Sequence, residues 1–471
     1  MTIWRSPFAR QPLTSRGKPR SGIDIVVTQS KRTWKVSFLK TIDTIHDAMF
    51  INPKRSRLTA TRKESWFDYY AGYSSAFVKD VLRSLQNVQG PLLDPWNGSG
   101  TTTTTAHERG FDSIGIDINP AMIVVAKAKL LTPGITESLV PLANDVTKKA
   151  RRLELPQHEG EPLEEWFSPA SAMRLRAFAE AICTLTTPVT ASRTLYQSDS
   201  IAHFSDLTAF LLVALFRTTR SFMARFQASN PTWMKSPNSP SNRLRTSTET
   251  IAEHFTHHVR SMTEGIVPVS ARVSTRITLA ASSNLPLANE TIGAVIASPP
   301  YCTRIDYAVA TKPELAILGC PLGDEFFELR RKMIGGPVVS ASDVVPQDEW
   351  GRNCLKLLDS IQSHNTKGSA NYYYKTFAQY YDSLYSSLCE INRVSMPNAD
   401  CVLVVQDSYY KDIHVDVSAH VSDMASNLGW GLIHRTDHET SMLMARLNPK
   451  AQKYRSSTGA TESVLWFRKA A

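Results

Sequence analysis

The chain of 471 residues is long enough to bury a large core and exceeds one average domain, and its composition, 42% hydrophobic and 20% charged, is that of a globular protein. Six scattered cysteines include no CxxC pair or Cys/His cluster at zinc spacing, so we expect reduced, mostly buried thiols and no metal. The longest apolar run is too short to cross a bilayer, and the amino terminus lacks the apolar core of a secretory signal, so we expect no membrane association and a cytoplasmic location.

Positive charge is concentrated at the start of the chain. Residues 1–63 carry 14 Lys/Arg against 3 Asp/Glu, whereas residues 64–471 carry 39 against 40. Such a basic arm suits a polyanionic partner, because neutralising phosphates releases condensed counterions. The alternative is a flexible, solubilising tail, and the arm alone does not identify DNA.

The arm contains candidate short strands at 23–27 and 34–38, and an aromatic stretch at 66–70 leads into a predicted helix at 75–85. Strands then alternate with helices. The predicted strands are 91–94, 113–117, 276–280, 293–297, 401–406, 431–438 and 463–468. The predicted helices are 102–109, 120–131, 372–394 and 413–428. Several strands are short apolar runs, which is typical of strands covered on both faces, so the pattern predicts an α/β fold with a parallel, doubly wound sheet.

One connection is far too long for such a sheet. About 140 residues, 131–277, separate the second strand from the third, which indicates an inserted subdomain. Helical patterns at 172–185, 205–225 and 248–263 make it mainly helical. We therefore predict an arm at 1–63, a first domain part at 64–131, an insertion at 132–274 and a second domain part at 275–471. Residues 337–348 and 363–370 are predicted surface loops.

The first motif, residues 94–101, reads Asp-Pro-Trp-Asn-Gly-Ser-Gly-Thr and joins an apolar strand to a helix. Its glycines, Gly98 and Gly100, allow the backbone to turn sharply and approach a ligand, and the following helix presents unpaired N–H groups. A lone GxG is a weak signal. Asp94 directly before it and a second acidic strand end downstream strengthen it.

That second acid is Asp117, which ends the next predicted strand about 20 residues after the glycines. Nucleotide-binding sheets place an acid here to accept hydrogen bonds from ribose hydroxyls. The alternative is that Asp117 caps the helix opening at Pro120, a role for which Asn119 competes.

The third motif, Ser298-Pro299-Pro300-Tyr301, follows the strand at 293–297. Two prolines stop the strand and hold a rigid turn at its carboxyl end, where ligands bind in open α/β sheets. A polar side chain then lies beside a carbonyl, with an aromatic ring three residues on. The alternative is an ordinary proline-terminated strand with a core tyrosine.

At these three motifs the sequence resembles the amino-group DNA methyltransferases, which form N4-methylcytosine and N6-methyladenine. The aromatic stretch 67–77 is similar to the segment that lies over the methionine part of the cofactor, and residues 404–408 and 462–469 look like the later strands. The resemblance covers roughly 65–131 and 275–469. It implies a class I, Rossmann-like methyltransferase fold, a mostly parallel seven-stranded sheet with a helical insertion, and S-adenosyl-L-methionine as the cofactor.

The resemblance also assigns site residues. The expected cofactor-binding residues are Asp94, Pro95, Trp96, Gly98, Ser99, Gly100, Thr101, Asp117, Ile118, Asn119, Tyr70 and Ser282. Ser298 and the Pro299 carbonyl are expected to hydrogen-bond the amino hydrogens of the target, so that the nitrogen lone pair points at the methyl group. Pro300 completes the catalytic tetrapeptide, and Tyr301 is expected to stack on a base flipped out of the duplex.

Two features depart from the family. Trp96 stands where the family usually has Phe. The third strand of the family commonly ends in an acid that contacts the adenine of the cofactor, whereas residues 280–284 here read Ala-Ala-Ser-Ser-Asn. Ser282 or Ser283 is the expected substitute for one of its hydrogen bonds.

DNA contacts are expected from basic residues, namely Arg304 beside the tetrapeptide and Arg217, Arg220, Lys235 and Arg243 in the insertion. The insertion is then a candidate target-recognition region. The equally weighted alternative is a helical cap whose arginines are simply solvated.

A serine at the head of the tetrapeptide favours cytosine N4 over adenine N6 as the target. The alternatives are guanine N2 of RNA, glutamine in a protein, both associated with an Asn-headed tetrapeptide, and a catalytically weak DNA-binding module of a defence assembly. DNA is the expected partner and a cognate restriction or defence component a candidate one, in a prokaryotic, nucleoid-associated location. The oligomeric state stays open.

Overall fold

The computed structural model describes residues 28–30, 33–35, 50–55, 61–68, 72–156, 160–187, 201–228, 233–268, 273–302, 305–339, 344–440 and 459–471. The chain divides into two compact units, Met1–Asp47 and Ala48–Ala471, so the division falls earlier than the end predicted for the arm at residue 63. In the first unit, β1 (Thr28–Ser30) pairs antiparallel with β2 (Thr33–Lys35). The predicted strand at 23–27 lies outside the described residues, and β2 overlaps only the start of the one at 34–38.

The second unit is built on a seven-stranded sheet. Its strands are β3 (Leu92–Asp94), β4 (Ser113–Asp117), β5 (Thr275–Leu279), β6 (Ile292–Ala297), β7 (Ser395–Gln406), β10 (Trp430–Thr440) and β11 (Ala460–Lys469). They lie in the order β10-β11-β7-β6-β3-β4-β5, and the five strands from β7 to β5 are mutually parallel. β11 runs antiparallel to both its neighbours. The predicted mostly parallel α/β sheet is therefore confirmed.

Helices connect the strands and cover the sheet. They are α1 (Ser75–Ser84), α2 (Thr101–Arg109), α3 (Pro120–Ala128), α4 (Thr136–Arg152), α5 (Pro169–Thr186), α6 (Asp206–Phe222), α7 (Thr248–Thr263), α8 (Tyr307–Ala310), α9 (Lys312–Ile317), α10 (Asp324–Lys332), α11 (Arg352–Ser363), α12 (Tyr374–Val394) and α13 (Val417–Asn427). A π-helical turn, Ser369–Tyr373, leads into α12. Short 3-10 turns lie at Glu64–Trp66, Pro133–Ile135, Pro162–Glu165, Ala224–Phe226, Pro240–Asn242 and Asp348–Trp350.

The central strands are buried on both faces. In β7, Val402 and Val404 belong to a core shared with α1 and α2, whereas Leu403 and Val405 belong to a core shared with α11, α12 and α13. Successive side chains of a strand point to opposite faces, so a strand covered twice must be apolar at every position. This explains why these strands read as continuous apolar runs.

The insertion packs onto the α/β part of the chain. Helices α4 to α7 share one hydrophobic cluster with α3 and with residues 308–333. α4 lies within residues 132–274 but was not among the predicted helices, because Pro141 and its polar composition conceal it. Its buried residues, Leu139, Ala143, Val146 and Ala150, nevertheless recur at helical spacing and could have revealed it.

One predicted helix is corrected at its start. Residues 413–428 were expected to be helical throughout, but Ile413–Val415 forms β9, which pairs with β8 (Ser408–Tyr410) in a small antiparallel hairpin. α13 begins only after Asp416, whose side chain accepts a hydrogen bond from the backbone N–H of Ala419. A capping acid in front of the apolar run sets the helix boundary there.

The remaining compositional predictions concern thiols, membranes and metals. All six cysteines are thiols rather than halves of disulfides, and five are buried, as expected. Within the described ranges, every helix is too short or too polar to span a bilayer. Among the same residues, no three metal-ligating side chains are grouped.

Candidate active site

One cavity opens at the carboxyl edge of the parallel strands. Because β3, β4 and β6 run in the same direction, the loops that follow them meet at this edge. The described residues lining the cavity are Gly72, Tyr73, Asp94, Pro95, Trp96, Asn97, Gly98, Ser99, Thr101, Asp117, Ile118, Asn119, Met122, Ala281, Ser282, Ser283, Ser298, Pro299, Pro300, Tyr301, Tyr307, Lys332, Met333, Ile334 and Ser383. Asp117 and Ser298, 181 positions apart in the sequence, thus face one space.

The loop after β3 is shaped by close packing. Gly100 has a φ of +79°, and a Cβ there would lie 2.8 Å from Cβ of Ala126 in α3. On β4, a Cβ on Gly115 would lie 2.5 Å from Cγ of Asn97. The Asn97 side chain in turn accepts a hydrogen bond from the Thr103 hydroxyl at 3.0 Å. These contacts hold the loop against the start of α2, whose first residue, Thr101, also lines the cavity.

Asp117 is held by two backbone hydrogen bonds. Its Oδ2 accepts from the Gly98 N–H at 2.7 Å, and its Oδ1 accepts from the Asn119 N–H at 2.8 Å. Asn119, not Asp117, caps α3, because its side chain accepts from the Ala121 N–H at 3.0 Å. The carboxylate therefore keeps lone pairs for hydroxyl donors in the cavity. Burial raises the pKa of the Asp117 carboxyl to about 6, although the backbone N–H groups of Asn119, Gly98 and Ile118 act to lower it.

Asp94 is fixed at the other end of the loop. Its Oδ1 accepts from the Trp96 N–H at 3.1 Å, and its Oδ2 accepts from the Tyr73 hydroxyl at 3.2 Å. The Tyr73 hydroxyl also contacts the Thr102 hydroxyl. Burial raises the pKa of Asp94 to about 7. Tyr73 is thus the described member of the aromatic stretch that reaches the cavity, whereas the expected Tyr70 lies outside the described residues.

A buried lysine lies behind the same loop. Lys129 is 2% exposed, and its Nζ donates to the Ser99 carbonyl at 2.6 Å. Burial lowers the pKa of Lys129 to about 7. This anchor was missed in the sequence, where the only signal is a lysine within the apolar end of a predicted helix.

The tetrapeptide places two acceptors at the cavity. The Ser298 hydroxyl donates to the Val404 carbonyl on β7 at 2.8 Å, which occupies its single proton and leaves the oxygen lone pairs as acceptors. The Tyr380 hydroxyl donates to the Pro300 carbonyl at 3.0 Å. In the described part of the chain, nothing donates to the Pro299 carbonyl. The role of Ser298 and the Pro299 carbonyl as paired acceptors for one amino group stays a prediction.

Tyr301 is positioned by residues that sequence reasoning did not assign to the site. Its N–H donates to the Tyr307 hydroxyl at 3.1 Å. Gly335 has a φ of +75°, and a Cβ there would lie 2.6 Å from the Tyr301 carbonyl oxygen. Asp306 caps α8 and pairs with Arg330 at 2.7 Å, which fixes the end of α10 beside Tyr307. The segment after α10 is therefore packed directly against the tetrapeptide.

The turn after β5 supplies serines where the family commonly has an acid. Ser282 is 7% exposed and its hydroxyl lies 2.9 Å from the Ser387 hydroxyl on α12. Ser283 is exposed and also lines the cavity. Of these two lining residues, Ser282 is buried and Ser283 is exposed.

The basic residues assigned to DNA do not line the cavity within the described part of the chain. Arg220 forms an ion pair with Glu314 at 2.6 Å, and Arg217 donates to the Ser65 carbonyl at 2.6 Å. Both arginines of α6 thus tie the insertion to the methyltransferase part. Arg243 lies 3.6 Å from Glu164, Lys235 is exposed, and Arg304 lies outside the described residues. A phosphate-binding role for these residues stays a prediction.

A glycine-rich loop with acidic strand ends, and a second loop with two hydrogen-bond acceptors, share one rim of a mostly parallel seven-stranded sheet. This arrangement resembles that of the class I methyltransferases. Residues 21–128 match the family model described as DNA methylase, for N6 and N4 methyltransferases. The match includes Asp94 and Asp117, begins inside the predicted arm and ends before the tetrapeptide. It supports the resemblance to the amino-group DNA methyltransferases and, with it, S-adenosylmethionine as the methyl donor.

Three curated relatives are similar. Type II methyltransferase M.BsoBI of Geobacillus stearothermophilus is 25% identical over 303 residues, which are 59% of this chain and 58% of that protein. M.ScaI of Streptomyces caespitosus is 37% identical over 60 residues, 13% of this chain and 20% of its own. M.MjaII of Methanocaldococcus jannaschii is 39% identical over 62 residues, which are 13% of this chain and 12% of that protein. The chain thus spans little more than half of the first relative and less of the others.

One solved structure is distantly similar. The rRNA methyltransferase aviRa from Streptomyces viridochromogenes is 12% identical, with coverage of 85% of this chain and 87% of that chain. The TM-score is 0.25, so the likeness carries no argument about this chain.

Proposed function

We propose that the chain transfers a methyl group from S-adenosylmethionine to the exocyclic amine of a DNA base flipped out of the duplex, with cytosine N4 as the favoured target. The observation that carries this proposal is the shared cavity of Asp117 and Ser298. The loop at 94–101, together with Asp117, would bind the nucleoside part of the cofactor. The loop at 298–301 would supply two hydrogen-bond acceptors for an amino group. Methyl transfer requires both in one place.

On the donor side of the cavity, residues of this chain bind and orient the cofactor. Asp117 accepts hydrogen bonds from the ribose hydroxyls with the lone pairs that Gly98 and Asn119 leave free. The residues 94–101 approach the cofactor through backbone atoms, and Ser283 is an exposed cavity-lining serine in the turn where the family commonly has an acid. When bound, the cofactor supplies an electrophilic methyl group on a sulfonium ion.

On the acceptor side, the tetrapeptide prepares the nucleophile. The amine of a base is a weak nucleophile because its lone pair is delocalised into the ring. Two hydrogen bonds, one to Ser298 Oγ and one to the Pro299 carbonyl, favour a pyramidal nitrogen whose lone pair points at the methyl group. Tyr301 stacks on the ring, and the base must leave the helix to reach it.

The choice between bases rests on Ser298. A serine-headed tetrapeptide favours cytosine N4, and adenine N6 is the second candidate because the matching family model covers both. The RNA and protein alternatives are less favoured, since they are associated with an Asn-headed tetrapeptide. We further propose a cytoplasmic, nucleoid-associated role beside a restriction or defence component, which follows from the Type II methyltransferases among the relatives.

The test is to express the chain in a host that lacks DNA methylation and to sequence the genome for modified bases. N4-methylcytosine in a fixed context is the expected result. N6-methyladenine would overturn the choice of base but not the chemistry. An unmodified genome, with the protein folded and bound to the cofactor, would contradict the proposal.

A further inference from the structure

The described lining of the cavity contains two carboxylates, Asp94 and Asp117, and one cation, Lys332. Lys332 is the last residue of α10 and follows two arginines. Arg330 pairs with Asp306 at 2.7 Å and Arg331 pairs with Glu328 at 2.6 Å. Lys332 is exposed and has no acidic partner in the described part of the chain. It is therefore the cation of this helix end that is left to bind a ligand.

Lys332 belongs to the acceptor side of the cavity. The residues that follow it, Met333 and Ile334, also line the cavity, and Gly335 then packs against the Tyr301 carbonyl. The ion pair between Arg330 and Asp306 anchors the end of α10 to the interior, because the Asp306 side chain is only 3% exposed. Lys332 is therefore joined through residues 333–335 to the tetrapeptide side of the cavity.

When a base enters the cavity, the sugar-phosphate backbone of its nucleotide comes to lie at the cavity opening. Rotating a nucleotide out of the duplex moves its flanking phosphates with it, and these carry the nearest negative charges of the substrate. We propose that the Lys332 ammonium binds a phosphate flanking the flipped nucleotide and so acts as a positioning residue. This inference rests on the proposed function and deepens it. It adds a contact that lies outside the insertion.

The first test compares Lys332→Gln with Lys356→Gln, a matched loss of charge at an exposed lysine of α11 that does not line the cavity. The probe is a duplex containing the site defined by genome sequencing. Loss of one phosphate contact should weaken DNA binding by roughly threefold to tenfold and reduce the slope of log affinity against log salt by about 0.9. Cofactor affinity should stay unchanged, and Lys356→Gln should match the wild type in both.

The second test removes the charge from the DNA. A methylphosphonate at the phosphate flanking the target nucleotide should weaken binding to the wild type but not further weaken binding to Lys332→Gln. Additive losses would overturn the proposal. So would an unchanged salt slope, or a weakened cofactor affinity in Lys332→Gln, which would assign the lysine to the cofactor carboxylate. A wild type that methylates no DNA would instead fail the proposed function, and that result is obtained before these variants are compared.

Discussion

The two halves of the cavity are built differently. On the donor side, Asp117 is held by backbone N–H groups that lie within about one βα unit, 19 and 2 residues away. On the acceptor side, Ser298 depends on a carbonyl 106 residues away and Pro300 on a tyrosine 80 residues away. The cofactor-binding residues are thus held by contacts close in sequence, whereas the residues expected to bind the amine are held by contacts distant in sequence. Changes on one side should leave the other side working.

The largest effect is expected from Ser298→Ala. The substitution removes an acceptor used in the transition state, so kcat should fall by about 10²- to 10³-fold. Cofactor affinity should be unchanged, because Ser298 has no part in the donor loop. Single-turnover methylation and calorimetric cofactor binding measure the two quantities. Ser360→Ala, an exposed helical serine, serves as control, and a parallel loss of cofactor binding in Ser298→Ala would contradict the separation of the two halves.

Asp117→Asn should have the next largest effect, and on the opposite quantity. The Asn amide has a single acceptor oxygen, so its NH2 group faces at least one of the two backbone N–H donors. A buried donor left unpaired in this way costs about 1–3 kcal/mol. Cofactor Kd should therefore rise by roughly tenfold to a hundredfold, with DNA affinity retained. Asp145→Asn, at an exposed acid of the insertion, is the control. Weakened DNA binding together with normal cofactor binding would reverse the assignment.

The pH dependence of cofactor binding sharpens the same point. Burial raises the pKa of Asp117 to about 6, so the carboxylate accepts ribose hydroxyls above that pH and loses this capacity as it is protonated below it. Asp94 and Lys129, with pKa values near 7, are already largely protonated below pH 6. Cofactor affinity should thus fall by up to about tenfold per pH unit below 6. Calorimetry should show a flat profile for Asp117→Asn, and a wild-type affinity that is constant or rises there would contradict the role.

The smallest effect is expected from Gly335→Ala. The new Cβ would meet the Tyr301 carbonyl oxygen and would force a residue with a side chain to adopt a positive φ. A cost of roughly 1 kcal/mol at the tetrapeptide corresponds to a fivefold to tenfold loss of methylation rate. Gly429→Ala has the same backbone strain in open space, so it should lose stability without losing rate. Equal rates for the two variants would show that the packing against Tyr301 is irrelevant.

The same contrast explains what the sequence could predict. The Gly98–Gly100 loop, Asp117 and the tetrapeptide are local patterns. Gly98, Asp117 and all four residues of the tetrapeptide line one cavity, whereas Gly100 is not among its described lining residues. The strands were recognisable because burial on both faces demands apolar residues throughout.

The missed features depend on distant contacts. Tyr307 and Lys332 line the cavity, and Gly335 packs against the Tyr301 carbonyl, because α8 and α10 fold back against Tyr301. Nothing in their local sequence signals these contacts. Ser282 lines the cavity, but the contact of its hydroxyl with Ser387, 105 residues away, could not be read from the sequence, and its cofactor-binding role stays a prediction. The helix start predicted at 413 failed because a short apolar run fits a strand as well as a helix.

The most direct measurement is a crystal structure with S-adenosylhomocysteine bound. We predict that the ribose hydroxyls lie within hydrogen-bonding distance of the Asp117 carboxylate and that the sulfur faces the space beside Ser298 Oγ and the Pro299 carbonyl. A ribose bound away from Asp117, or a sulfur that opens onto a surface not shared with Ser298, would contradict it.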